Sequence, residues 1–259
     1  MTLILATRNR HKAAEIHAIL GVNCLTLADF PGAPPLVEDA DTFAGNALRK
    51  AAQLAQWLAS TRPAMPAGSV SVQLPPGSCS VPARPVGKDL TGPEANPGNA
   101  ATARTFVMAD DSGLEVDALG GAPGVYSARF AGMDCGVSGN STDAENNAKL
   151  LRLLQEVTIE RRTARFRCVL ALMEANPPAS APLSRLFEGA CEGHIGFAAR
   201  GKGGFGYDPL FIPEGFAESF AELGESVKNQ LSHRAKALQK LHQWLRADQG
   251  CEPAEATAL

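Results

Sequence analysis

Asp110 and Asp111 stand side by side behind the apolar run 106–109 and ahead of Ser112-Gly113-Leu114. The run reads as a buried strand, which puts both acids at its carboxyl end, where open α/β sheets place their ligand crevices. Adjacent carboxylates with no basic neighbour in sequence repel each other unless a cation or a proton is supplied. The pair therefore invites Mg²⁺ and an anionic substrate. Asp, Ser and Gly are also ordinary turn residues, so on this stretch alone a solvated turn is an equal reading.

Three other places carry chemistry. Thr7-Arg8-Asn9-Arg10-His11-Lys12 is polar, basic and rich in donors. A loop that feeds a helix N-terminus points N–H groups outward and suits phosphate, although no Walker-type glycine pattern is present. Glu38 lies ahead of a helix from which Lys50 can reach over the first turns, and it can share a cation with Asp111. In the glycine-rich stretch 201–209, Phe205 offers a stacking face and Asp208 an acceptor for ring N–H groups. A hairpin with one aromatic in the core explains that stretch equally well. Lys228 and the Ser232-His233-Arg234 triplet come last, and His233 by itself reads as a capping or surface residue.

The elements that must position these groups follow from periodicity. A first strand is predicted over 3–6, then a helix from Ala13 carrying Ile16, Ile19 and Leu20, and a short strand over 24–27. Phe43, Ala47, Ala51, Leu54 and Leu58 mark a long helix, and 114–119 reads as a strand separate from 106–109. Ala144, Ala148, Leu151 and Leu154 mark another helix. Period-two alternation over 164–172 predicts a strand that pairs with 187–195 in a β-rich second half, and Leu238, Leu241 and Leu245 mark a final helix. Residues 60–104 hold eight of the eighteen prolines and few charges, which predicts a disordered insertion.

Hydrophobic residues make up 45% of the 259, enough for a real core in a single domain over 1–259 with a flexible tail at 248–259. A net charge of −3 and the lack of a long basic run disfavour nucleic acid as a partner. Six scattered cysteines signal neither a disulfide framework nor a zinc site, and no stretch suits a signal peptide or a membrane span, so a cytoplasmic location fits.

Taken in order, Ala6-Thr7-Arg8-Asn9 with Lys12, Thr42-Phe43 with Asn46-Ala47 and Lys50-Ala51, and 109–114 resemble the inosine/xanthosine triphosphate pyrophosphatase family in its bacterial dITP/XTP form. The segments 120–129, 204–209 and 232–234 continue the resemblance across most of the chain. It implies a two-lobed α/β fold on a long mixed sheet with flanking helices, a nucleotide cleft between the lobes, and a homodimer. It implies Mg²⁺-dependent hydrolysis of ITP, dITP and XTP to the monophosphate and pyrophosphate, which clears deaminated purines from the nucleotide pool. By position, Thr7, Arg8, Asn9, Arg10, His11, Lys12 and Lys50 would hold the triphosphate, and Glu38 and Asp111 the metal, with Asp111 as proton acceptor. Ser112 would touch substrate, while Phe205, Gly206, Tyr207, Asp208, Lys228, His233 and Arg234 would surround the base, with Lys228, His233 and Arg234 as the donors to its 6-oxo group. A metal-bound carboxylate is a poor base, so Asp110 is an alternative acceptor.

Three departures stand out. Arg8 replaces a usual glycine, which predicts strain if that position needs positive φ. Gly45 replaces a usual acid, and the 60–104 insertion has no counterpart. A Maf-type nucleotide pyrophosphatase and a nucleotide sensor without turnover are the competing readings.

Overall fold

The structure is a computed structural model that describes residues 2–22, 24–66, 104–136, 139–176 and 184–248. Most of the expected insertion (67–103) and the expected tail (249–259) lie outside the described residues. Among the described residues six strands form one mixed sheet: β1 (Thr2–Leu5), β2 (Leu25–Thr26), β3 (Thr105–Val116), β4 (Thr163–Glu174), β5 (Ser184–Ile195) and β6 (Phe211–Pro213). Their spatial order is β2-β1-β3-β4-β5-β6. β1 is parallel to β2 and β3, and every later pairing is antiparallel. The "β-rich second half" is therefore not a sheet of its own but a continuation of the same one.

β3 corrects the sequence expectation. It runs unbroken through the acids and joins the strand predicted over 106–109 to the first part of the one predicted over 114–119, whose last residues, Asp117–Leu119, instead form a 3₁₀ turn. Its ladder with β4 extends from Phe106↔Glu174 to Val116↔Ala164, so every residue of the Asp-Asp-Ser-Gly segment has a cross-strand partner. Backbone pairing is indifferent to side-chain polarity when the polar groups find partners, and here they do.

Among the described residues five α-helices flank the sheet: α1 (Arg10–Leu20), α2 (Phe43–Thr61), α3 (Asp143–Leu153), α4 (Phe220–Leu231) and α5 (His233–Asp248). α1 starts three residues ahead of the apolar pattern because the Asn9 side chain accepts from the N–H groups of His11 and Lys12. α2 lays Ala47, Ala51, Leu54 and Leu58 against Ile4, Val107, Ala109, Val169 and Ala171. Ile16 of α1 and Leu238, Leu241 and Leu245 of α5 cover the opposite face, with Leu3, Leu5, Phe106, Met108, Cys168 and Leu170. Burying one leucine of this kind stabilises the fold by roughly 1.5–3 kcal/mol, so both faces are firmly seated.

Two consequences position the site. Alternation along β3 sends Asp110 with Phe106 and Met108 toward α1 and α5, and Asp111 with Val107 and Ala109 toward α2. β1 also pairs with β3 only as far as Leu5↔Met108, after which the chain turns away into α1. Beyond Met108 that edge of β3 is open, and groups from both faces can meet there. The crevice thus lies at the carboxyl end of β1 but midway along β3.

Candidate active site

Asp110 is buried among donors. Its Oδ1 accepts from Lys12 Nζ at 2.5 Å and Ser112 Oγ at 2.9 Å, and its Oδ2 from Arg234 Nε at 3.0 Å and Cys168 Sγ at 3.2 Å. Burial alone pushes this carboxyl up, but the Arg234 and Lys12 charges and their hydrogen bonds overcome it and hold it well below the usual range. A carboxylate with this many donors is a poor proton acceptor. Lys12 in turn is held above its ordinary value: burial pulls it down, and the Asp110 and Asp111 charges with the Asp110 hydrogen bond together overcome that pull.

Asp111 is different. Lys50 Nζ donates to its Oδ1 at 3.2 Å and to the Asp110 carbonyl oxygen at 2.7 Å, and lies 3.1 Å from Glu38 Oε1. The lysine thereby caps the open edge of β3. Asp111 Oδ2 is buried and has no hydrogen-bond partner among the described residues. Burial raises its pKa above the usual carboxylate value, against the pull of Lys50 and Lys12, and Glu38 adds to the rise.

Gly113 lets a neighbouring turn close over this edge. A Cβ there would fall 2.4 Å from Ser127 Oγ and 2.5 Å from the Gly124 carbonyl oxygen. Ser127, in the 3₁₀ turn Gly124–Arg129, accepts from Leu114 N at 2.9 Å and donates to Gly124 O at 2.6 Å.

The first loop holds its own donors. Thr7 Oγ1 accepts from Asn9 N at 3.0 Å, and Asn9 Oδ1 takes the His11 and Lys12 N–H groups, so those two do not face a ligand. Arg10 is exposed, and Arg8 Nη2 donates to Ala33 O at 2.9 Å. Among the described residues Arg62 is the one non-glycine with positive φ, so the strain expected at Arg8 is not realised. At Gly45 a Cβ would lie 2.8 Å from Ala40 Cβ, and the missing acid accompanies a tight turn into α2.

The carboxyl-terminal cations are paired with acids. Arg234 pairs with Asp110 and Glu15 and donates from Nη2 to Ser112 Oγ at 2.9 Å. Lys228 lies 2.6 Å from both Glu15 Oε1 and Asp208 Oδ2. The Asp208 oxygen also accepts Phe205 N at 2.8 Å, and burial raises this acid despite Lys228. Tyr207 donates its hydroxyl to Ser127 O at 2.9 Å, and Gly206 N donates to Asp143 Oδ2 at 2.7 Å. Phe205 stacks on His11 with centroids 5.3 Å apart. His233 is neither a cap nor at the surface: it is buried and stacks on Phe166 at 4.8 Å. Its Nδ1 is unpartnered among the described residues, and burial followed by the Arg234 and Lys228 charges keeps the ring neutral.

These groups surround one cavity of about 430 Å³, which brings Asn9, Lys12, Glu38, Asp111 and Ser112 together with Phe205, Gly206, Tyr207, Asp208, Lys228, His233 and Arg234. Lys50 backs it through Asp111, while Thr7, Arg8 and Arg10 are not among its lining and His11 meets it only through Phe205. A larger groove of about 610 Å³ near Asp117, His194 and Phe216 contains none of the residues singled out from sequence. Glu15 was missed. Its spacing of three from Lys12 on α1 places it on the same helix face, which is the available signal.

A model of the Ham1 family matches residues 3–66 and 94–244, leaving unmatched a stretch inside the proline-rich segment. The dITP/XTP pyrophosphatase of Desulforamulus reducens is 41% identical over 243 residues, 93% of either chain. That of Opitutus terrae is 38% identical over 255 residues, 95% of this chain and 99% of the other. The solved structure of a HAM1 protein from Coxiella burnetii superposes with a TM-score of 0.66 at 31% identity, over 95% of this chain and 99% of its own.

Proposed function

The chain belongs to the Ham1 family, and we propose that it is a Mg²⁺-dependent pyrophosphohydrolase of ITP, dITP and XTP. It adds water across the α–β anhydride bond to give the monophosphate and pyrophosphate. The observation that carries this reading is Asp111, a carboxylate whose pKa is raised by burial and whose Oδ2 has no partner among the described residues, on a cavity ringed by cations. Such a group is better suited than an ordinary carboxylate to accept a proton from water, whereas saturated Asp110 is suited to hold Lys12 and Arg234 in place.

Glu38 and Asp111 fit Mg²⁺. Both reach the one ammonium of Lys50, so both lie within range of a single cation. Mg²⁺ ordinarily takes one or two carboxylates and completes its shell with water and phosphate oxygens, and when bound here it would neutralise phosphate charge. No group of three or more His, Cys, Asp or Glu able to hold a metal exists among the described residues, which is compatible with such a sparse site.

Purine choice is assigned to the Phe205 face, the loop 205–208 and His233, whose ring lines the cavity. Lys228 and Arg234 enter this reading as the supports of that wall. A homodimeric, cytoplasmic enzyme is part of the proposal, and no helix among the described residues is long and apolar enough to cross a membrane. The test is product analysis with ITP, with and without Mg²⁺. IMP and pyrophosphate in equal amounts are expected, and inorganic phosphate as the first product overturns the reading.

A further inference from the structure

Every cation so far placed at this cavity already has a carboxylate. Lys12 has Asp110, Lys50 has Glu38 and Asp111, Lys228 has Glu15 and Asp208, and Arg234 has Asp110 and Glu15. A polyphosphate that approaches any of them must compete with an internal ion pair. Arg129 lines the same cavity and has no carboxylate at ion-pair distance among the described residues. Its guanidinium lies over the Tyr126 ring, 5.0 Å from the centroid, which leaves its planar N–H fork without an acid to satisfy it.

The nearby acids are engaged elsewhere. Asp134 takes Lys149 at 2.8 Å, and Asp143 accepts the Gly206 N–H. The turn that carries Arg129 is tied down on both sides. Ser127 joins it to β3 at Leu114 and to Tyr207 of the glycine-rich loop, while Ala128 O accepts from Ser141 N at 3.0 Å and Asn146 Nδ2 at 3.3 Å. Arg129 is half-buried, so the cavity wall holds a preorganised cation rather than a loose surface side chain.

We propose that Arg129 is a substrate-binding residue that engages the polyphosphate chain, an inference that rests on the nucleoside-triphosphate reading above. A guanidinium fork matches two phosphate oxygens in a bidentate contact, and it does so here without dissolving a pair on the protein side.

The test uses the full chain with Arg129→Gln and Arg129→Lys. Calorimetric binding of inorganic tripolyphosphate is measured first, because it does not require turnover. Arg129→Gln should weaken it roughly tenfold or more, the scale of losing a hydrogen-bonded charge, and Arg129→Lys should fall between the two. KM for ITP and for ATP should rise in equal proportion with kcat little changed, while the thermal midpoint stays put. Unchanged tripolyphosphate binding in Arg129→Gln, or none by the wild type, overturns the proposal, as does a loss confined to ITP, which would place Arg129 at the base. Arg129-dependent tripolyphosphate binding by a wild type that releases no pyrophosphate from ITP would sink the proposed function and leave this inference standing.

Discussion

Asp110 and Asp111 are adjacent in sequence and share one strand, yet the two faces of β3 give them opposite characters. On the α1/α5 face Asp110 meets four donors, two of them cations, and is held ionised. On the α2 face Asp111 meets one ammonium at one oxygen, with a weaker pull from the Asn46 side chain, and its Oδ2 has no partner among the described residues, so burial wins and its pKa rises. The difference teaches that the number of donors within reach, not residue type or depth, divides a structural carboxylate from a reactive one.

The comparison breaks most readily at Asp110. Asp110→Asn leaves Lys12 and Arg234 short of a buried counter-charge and should cost about 3–5 kcal/mol of unfolding free energy, read by urea denaturation at pH 7. A cost below about 1 kcal/mol would mean the four contacts contribute little.

Asp111→Asn should do the reverse. It removes a buried charge with an unpartnered oxygen, so stability is held or raised, while pyrophosphate release from ITP falls by roughly 10² or more. A variant that is both active and unstable would exchange the roles of the two acids.

Titration sharpens the contrast through its sign. The folded Asp110 value lies below the unfolded one, so its contribution is complete above pH of about 4 and is lost as pH falls through the folded value. Folded Asp111 lies above the unfolded value, so its ionisation costs stability as pH rises from about 4 through the folded value. On lowering pH from about 5 to about 3, wild type minus Asp110→Asn should shrink and wild type minus Asp111→Asn should grow. Parallel curves would show that the two carboxyls are not split.

The smallest effect is expected at Cys168, the weakest donor to Asp110. Cys168→Ala should lower unfolding free energy by about 1 kcal/mol, with Cys168→Ser recovering part of it in the same urea titration. A larger recovery at Ser than the whole loss at Ala would identify Asp110 as short of donors rather than saturated.

Much of the fold was legible along the chain. Leu54 and Leu58 at helical spacing, the alternation around Cys168 and Leu170, and the apolar run 106–109 report burial through local period alone. The break placed after Ala109 was wrong because polar residues look like a turn when their partners are out of sight. Those partners come from Lys12 and Arg234, 98 and 124 residues away from Asp110. Arg8 and His233 misled for a related reason, since strain and burial depend on backbone and neighbours that one segment does not contain.

The sequence by itself determined the α/β class, the main helices and strands, and the ordered set of polar segments that mark the family, because periodicity and motif order are properties of near neighbours. Only the tertiary structure decided that Asp110 is saturated and Asp111 is not, that Lys50 bridges Glu38 to Asp111, and that Lys228 and Arg234 are committed to Glu15. The physical reason is register. The ladder of β3 with β4 and the early end of β1 choose which face each acid takes and which distant cations reach it, and no local preference encodes that choice.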